Sequence, residues 1–175
     1  VQRITTFFLV VVLATGLGGC GALLTPPPAP ASAPPLLNRD KAVFVAMSED
    51  GHSASQWYVG SGRVVAYAVA NAFSRRGVPV CLSDKQVKND DIVATALRAR
   101  AAYAVRPVIT RWDQRNEWLG RPGNLTINIS IIEVASARVV SSASINGFSY
   151  VASAILATPD ELLSGPLSQY LSALY

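Results

Sequence analysis

Short apolar runs and helical stripes alternate along the chain from about residue 38. Residues 41–47, Lys-Ala-Val-Phe-Val-Ala-Met, form a compact apolar run that predicts a buried strand. Over 63–76, Val65, Val69, Ala72 and Phe73 recur at helical spacing, and Gly77 stands where a helix would stop. Residues 78–82 predict a second strand. Residues 90–101 predict a second helix with Ile92, Val93, Ala96 and Leu97 on its apolar side. Asp90 and Asp91 fall in its first turn, where negative charge suits the helix dipole.

The hydrophobic period then shortens. Residues 103–113 predict a long strand, and Leu125, Ile127, Ile129 and Ile131 alternate with Thr126, Asn128 and Ser130, a strand with one dry and one wet face. Residues 139–148 are extended, which makes 133–138 the turn of a hairpin. Thr158, Pro159 and Glu161 form a capping-box signature for a last helix, and Gly165-Pro166 is expected to kink or restart it before Leu167, Leu171 and Leu174. The order strand, helix, strand, helix, strand, strand, strand, helix predicts an α/β fold. Its sheet should be mixed, parallel at the early crossovers and antiparallel at the late hairpin, with helices packed on it. The order is similar to that of the amino-terminal domain of TolB and the periplasmic cores of CsgG and LpoB.

A different pattern precedes the domain. Arg3 is followed by an apolar stretch over 4–13, then by Leu17-Gly18-Gly19-Cys20. A basic start, a short apolar run and a small-residue exit are the parts of a secretory leader. A spanning helix would need about 20 predominantly apolar residues, and glycines break this run first. The ending resembles a bacterial lipobox, which implies cleavage before Cys20 and a covalent lipid on its sulfur. Gly21 stands where an aspartate would resemble an inner-membrane retention signal, so the expected location is the periplasmic face of the outer membrane. The chain then divides into a signal peptide (1–19), a lipidated cysteine with a Pro/Ala-rich tether (20–37) and one folded domain (38–175). Residues 21–37 would extend to roughly 50 Å as polyproline II.

Composition narrows the chemistry. Fifteen basic and eleven acidic residues give a net charge of +4; without Arg3 the balance is 14 − 11 = +3, too mild and too scattered for nucleic acid. With Cys20 lipidated, Cys81 has no cysteine partner within the chain, and its apolar surroundings predict a buried, inert thiol. His52 is the one histidine, a poor basis for a metal site, and no nucleophile is paired with a base. The chain is therefore read as a non-enzyme that needs no cofactor beyond its lipid.

Two segments are candidates for recognition. Gly60-Ser61-Gly62 opens the first helix and could present N–H groups to an anion or a cell-wall glycan; alternatively, Ser61 caps the helix and the glycines permit a tight start. Trp112, Arg115, Glu117 and Trp118 gather hot-spot residue types between two strands and are candidates for binding a partner, or for covering the end of the sheet. The Gly-Ser-Gly start, the stretch from Pro107 to Gly120, the lipobox and the leucine-rich last helix together resemble the bacterial lipoprotein family called domain of unknown function 4823. The chain departs from that family's pattern at Gln114, Asn116 and Leu119, where an acidic residue, a threonine and a serine are expected. The resemblance implies no activity. The resulting expectation is a membrane-held lipoprotein that binds another envelope protein, as an accessory or structural part of an assembly.

Overall fold

The computed structural model describes residues 37–52, 56–116, 121–148 and 158–175. The leader, Cys20 and all of the tether except Leu37 lie outside the described residues. The elements run β1 (Val43–Met47), α1 (Ser61–Ser74), β2 (Val80–Gln86), a short 3₁₀ turn (Asn89–Asp91), α2 (Ile92–Arg98), β3 (Tyr103–Asn116), β4 (Arg121–Glu133), β5 (Arg138–Phe148) and α3 (Pro159–Ser172). This is the expected order. One sheet holds the strands in the sequence β2-β1-β3-β4-β5. β1 is central to the parallel part, pairing Phe44 with Cys81 of β2 and with Ala104 of β3. β3, β4 and β5 are antiparallel, with Val105 opposite Ile131 and Ile127 opposite Ile145.

Strand alternation sends side chains to two unequal faces. On one, Val43 and Val45 of β1 join Leu125, Ile127, Ile129 and Ile131 of β4 beneath α1 and α3, which contribute Val65, Val69, Phe73, Leu163, Leu167 and Leu171. Each fully buried side chain of this kind contributes about 1.5–3 kcal/mol. On the other face, Phe44, Ala46 and Ala104 meet Ile92 and Ala96 of α2 in a smaller cluster. Farther across that face, Asn128 and Ser144 are directly paired and exposed. The wet side expected for β4 is observed there.

α3 begins as its sequence predicts. The Thr158 side chain accepts from the Glu161 N–H at 3.3 Å, and the Glu161 carboxylate accepts from the Thr158 N–H at 2.6 Å. The helix does not restart at Gly165-Pro166; it runs through Pro166 to Ser172. Proline supplies no N–H to the Leu162 carbonyl four residues earlier. That oxygen lies against Gly147 of β5, where an added Cβ would come within 2.7 Å of it. The helix stays continuous because its neighbours hold it: Tyr170 hydroxyl meets Ser141 Oγ at 2.8 Å, and Arg76 donates to the Ser168 carbonyl at 2.6 Å.

Other boundaries move by small amounts. α1 starts at Ser61, two residues before the expected start, and Gly77 adopts the left-handed conformation (φ 76°) just past its end, as a stop residue should. β2 continues to Gln86, and α2 is a single short helix after the 3₁₀ turn. Leu37, expected at the end of the tether, is buried in the main core and donates its N–H to the Leu174 carbonyl at 3.0 Å. The folded domain therefore already includes Leu37. Cys81, expected to be buried, is half-buried, with Sγ 3.9 Å from the Ala99 carbonyl oxygen; β2 is an edge strand covered only in part by α2.

Candidate functional site

The segment between β1 and α1 is held by local hydrogen bonds. The Tyr58 N–H donates to the Gly51 carbonyl at 2.9 Å, and the Ser61 N–H donates to the Tyr58 carbonyl at 3.0 Å. The Gly51 N–H donates to Ser61 Oγ at 2.8 Å, while Ser48 Oγ donates to the Glu49 carbonyl at 3.0 Å. Gly60 is the helix N-cap, with φ at 88°, a left-handed conformation that glycine adopts without steric cost. Gly62 has a different reason to be glycine: a Cβ there would collide with the Ser48 carbonyl oxygen, so its absence lets α1 start directly against the end of β1.

This geometry corrects the anion-site expectation for Gly60, Ser61 and Gly62. The Asp50 carboxylate accepts from the Gly60 N–H at 2.9 Å and from the Gly62 N–H at 2.8 Å, one oxygen each. The chain's own anion thus occupies the place an external one would take, at the helix end where negative charge is favoured. Nor does Ser61 act as the N-cap, since its buried hydroxyl serves Gly51 instead. In the sequence Asp50 is merely part of the polar stretch around His52. A carboxylate reaching ten and twelve residues ahead follows no local spacing rule; the Tyr58 N–H bond to the Gly51 carbonyl is what brings the two ends of the segment together.

Around this junction lies a mainly apolar groove of about 520 Å³, lined by Trp57, Tyr58, Val59, Val64, Trp112 and Pro159 among others. Trp57 is 63% exposed, Val59 91%, and Tyr67 one turn along α1 is 53%. The Trp57 ring packs on His52 with centroids 4.7 Å apart, and the two residues also form an isolated antiparallel bridge. Trp112 lies within β3, inside the strand expected over 103–113, but it is only 5% exposed and so is not the exposed partner residue also expected there. It stacks on Tyr58 at 6.0 Å, and its indole Nε1 is buried without a hydrogen-bond partner. Its position inside the sheet-and-helix core makes it the inner wall of the groove, while Trp57 forms the outer rim. Arg115 is in β3; Glu117 and Trp118 lie outside the described residues.

Among the described residues, no three His, Cys, Asp or Glu side chains gather closely enough to hold a metal, and no helix is long and apolar enough to cross a membrane. Tyr170 and Tyr175 have pKa values above the ordinary phenol value of 10. Burial raises both, with Ser141 partly offsetting it for Tyr170; Tyr175 reaches about 12, with Tyr103 adding to the rise and Arg39 and Arg76 opposing it. Both lie away from the groove.

The family described as domain of unknown function 4823 matches residues 36–174. The chain belongs to that family. The matched span begins one residue before Leu37, which is buried in the core. No curated protein sequence matches the chain. Among solved structures, the PelC dodecamer from Paraburkholderia phytofirmans superposes with a TM-score of 0.58 at 18% identity, over 80% of this chain and 91% of that one. Lipoprotein GNA1162 from Neisseria meningitidis gives 0.47 at 11% identity, over 77% and 93%. The LpoB C-terminal domain from Salmonella enterica gives 0.37 at 10% identity, over 65% and 86%. With PelC the chain shares its fold; identity this low carries no activity with it.

Proposed function

We propose that the chain is an outer-membrane lipoprotein held through Cys20, and that its domain is a non-enzymatic structural part of an envelope assembly, joined to its partner at the rim around Trp57. The observation carrying this reading is the exposed apolar set Trp57, Val59 and Val64 on the rim of the groove. Large aromatic side chains left in water next to a concavity are the usual anchors of an interface. The partner to look for first is another copy of the chain, because PelC, which has the same fold, was solved as a dodecamer. A tether of roughly 50 Å at most would keep such an assembly near the membrane.

Two experiments test the two halves of the proposal. Metabolic labelling with radioactive palmitate should mark the protein, and Cys20→Ser should abolish both the label and the membrane fraction. Light scattering of the mature protein in detergent should give a multiple of the chain mass, which Trp57→Ala lowers without changing the circular dichroism. A monomer that also retains no envelope protein on purification sinks the interface.

A further inference from the structure

β1 is the switch point of the sheet. The α1 connection leaves it toward β2 over one face, and the α2 connection runs from β2 to β3, on the other side of β1, over the opposite face. Crossovers that part on opposite faces leave a crevice beyond the carboxyl end of the strand where they diverge. Such a crevice is present, with a volume of about 500 Å³, and it is separate in character from the apolar groove. Its walls come from three segments: the residues just after β1, the turn after β2, and the middle of β3.

Asp50, on the crevice wall, is already engaged with the start of α1; four other charged side chains there make no ion pair among the described residues. Arg106 of β3 lines the crevice, and its Nε is buried without a hydrogen-bond partner. Leaving such a donor unsatisfied costs about 1–3 kcal/mol, and more for a charged group. Lys88 adds a second cation, while Glu49 and Asp90 supply exposed carboxylates on the rim. The ion pairs found among the described residues, Arg75 with Asp160 and Arg111 with Asp113, involve none of these four. Met47 and Ile109 contribute partly buried apolar surface beside the charges.

We infer that this switch-point crevice binds a small zwitterion of the amino-acid or dipeptide class, its carboxylate taken by Arg106 with help from Lys88 and its ammonium by Glu49 and Asp90. A guanidinium suits a planar carboxylate because it offers several donors in a fixed fork. Carboxylates on the same rim disfavour a ligand that is only anionic and favour one carrying a positive group as well. The volume lies within the range of small-molecule sites and admits a dipeptide. The site does not depend on the interface at Trp57.

The test is a titration of the mature protein in detergent with Ala-Ala, followed by amide chemical shifts, beside acetate and ethylamine as half-ligands. Ala-Ala is expected to move amides in 48–50, 87–90 and 106–109, with each half-ligand at least about tenfold weaker. Arg106→Gln should weaken Ala-Ala about tenfold or more, and Arg106→Lys by an intermediate factor. Because the shift map is read on the unaltered protein, it decides the matter even if a variant fails to fold. No movement at about 10 mM Ala-Ala, movement confined to 57–64, or acetate acting as strongly as Ala-Ala would each overturn the inference.

Discussion

The two faces of the sheet are built from the same strands and do different work. Under α1 and α3, β1 and β4 bury consecutive inward side chains, from Val43 and Val45 to Ile127, Ile129 and Ile131, in a single large cluster. On the opposite face, among the described residues, α2 alone covers the sheet, and beyond it Asn128 and Ser144 are exposed. Stability is therefore concentrated on one side. Between the faces, at the carboxyl end of β1, lie the apolar groove and the charged crevice, where neither packing requirement dominates. The groove wall keeps a partnerless indole N–H and the crevice a partnerless guanidinium nitrogen, each held at a cost.

Truncation on the helical face should break the contrast most strongly. Phe73→Ala empties a fully buried position and should cost about 3–5 kcal/mol in urea unfolding. A loss below about 1 kcal/mol would mean that the cluster beneath α1 does not carry the fold. Gly62→Ala comes next, at about 1–3 kcal/mol, because the new methyl would displace α1 from the end of β1. Asp50→Ala should cost about 1–2 kcal/mol by leaving the Gly60 and Gly62 N–H groups without their acceptor, and adding phosphate should not restore it. Recovery in phosphate would reinstate the helix start as an anion site.

Alkaline titration probes the same face. Tyr170 and Tyr175 have folded pKa values raised above the ordinary 10, Tyr175 to about 12. In that window the folded state holds protons that the unfolded chain has released, so stability is complete below pH 10 and falls as the pH rises toward 12. Tyr175→Phe should flatten that fall in thermal melts recorded across the range. The smallest effect belongs to the open face, where Asn128→Ser should change stability by no more than about 0.5 kcal/mol.

Several local features are legible in the sequence because their causes are local. Thr158, Pro159 and Glu161 specify a helix start within four residues, and the alternation from Leu125 to Ile131 specifies a strand with one dry face. The tryptophans mislead for the opposite reason. Trp112 falls in the strand predicted over 103–113, yet its grouping with Arg115 and Trp118 suggests an exposed surface, whereas packing on Tyr58 in the core buries it. Trp57 carries no signal, since the run Trp57-Tyr58-Val59 is too short to set a period. Pro166 suggests a break by its chemistry alone, and contacts from β5 and Arg76 hold the helix across it.

By itself the sequence determined the order of the elements, the α/β class and the capping of α3, since these follow from side-chain period and from groups a few residues apart. The lipobox-like Cys20 is equally a reading of adjacent residues. Tertiary structure alone decided that Asp50 fills the start of α1, that Trp112 is wall and Trp57 rim, and that Arg106 faces a crevice without a partner. Each of those facts depends on which distant segments the sheet brings together, and a polar atom's bonding state is set by its neighbours in space.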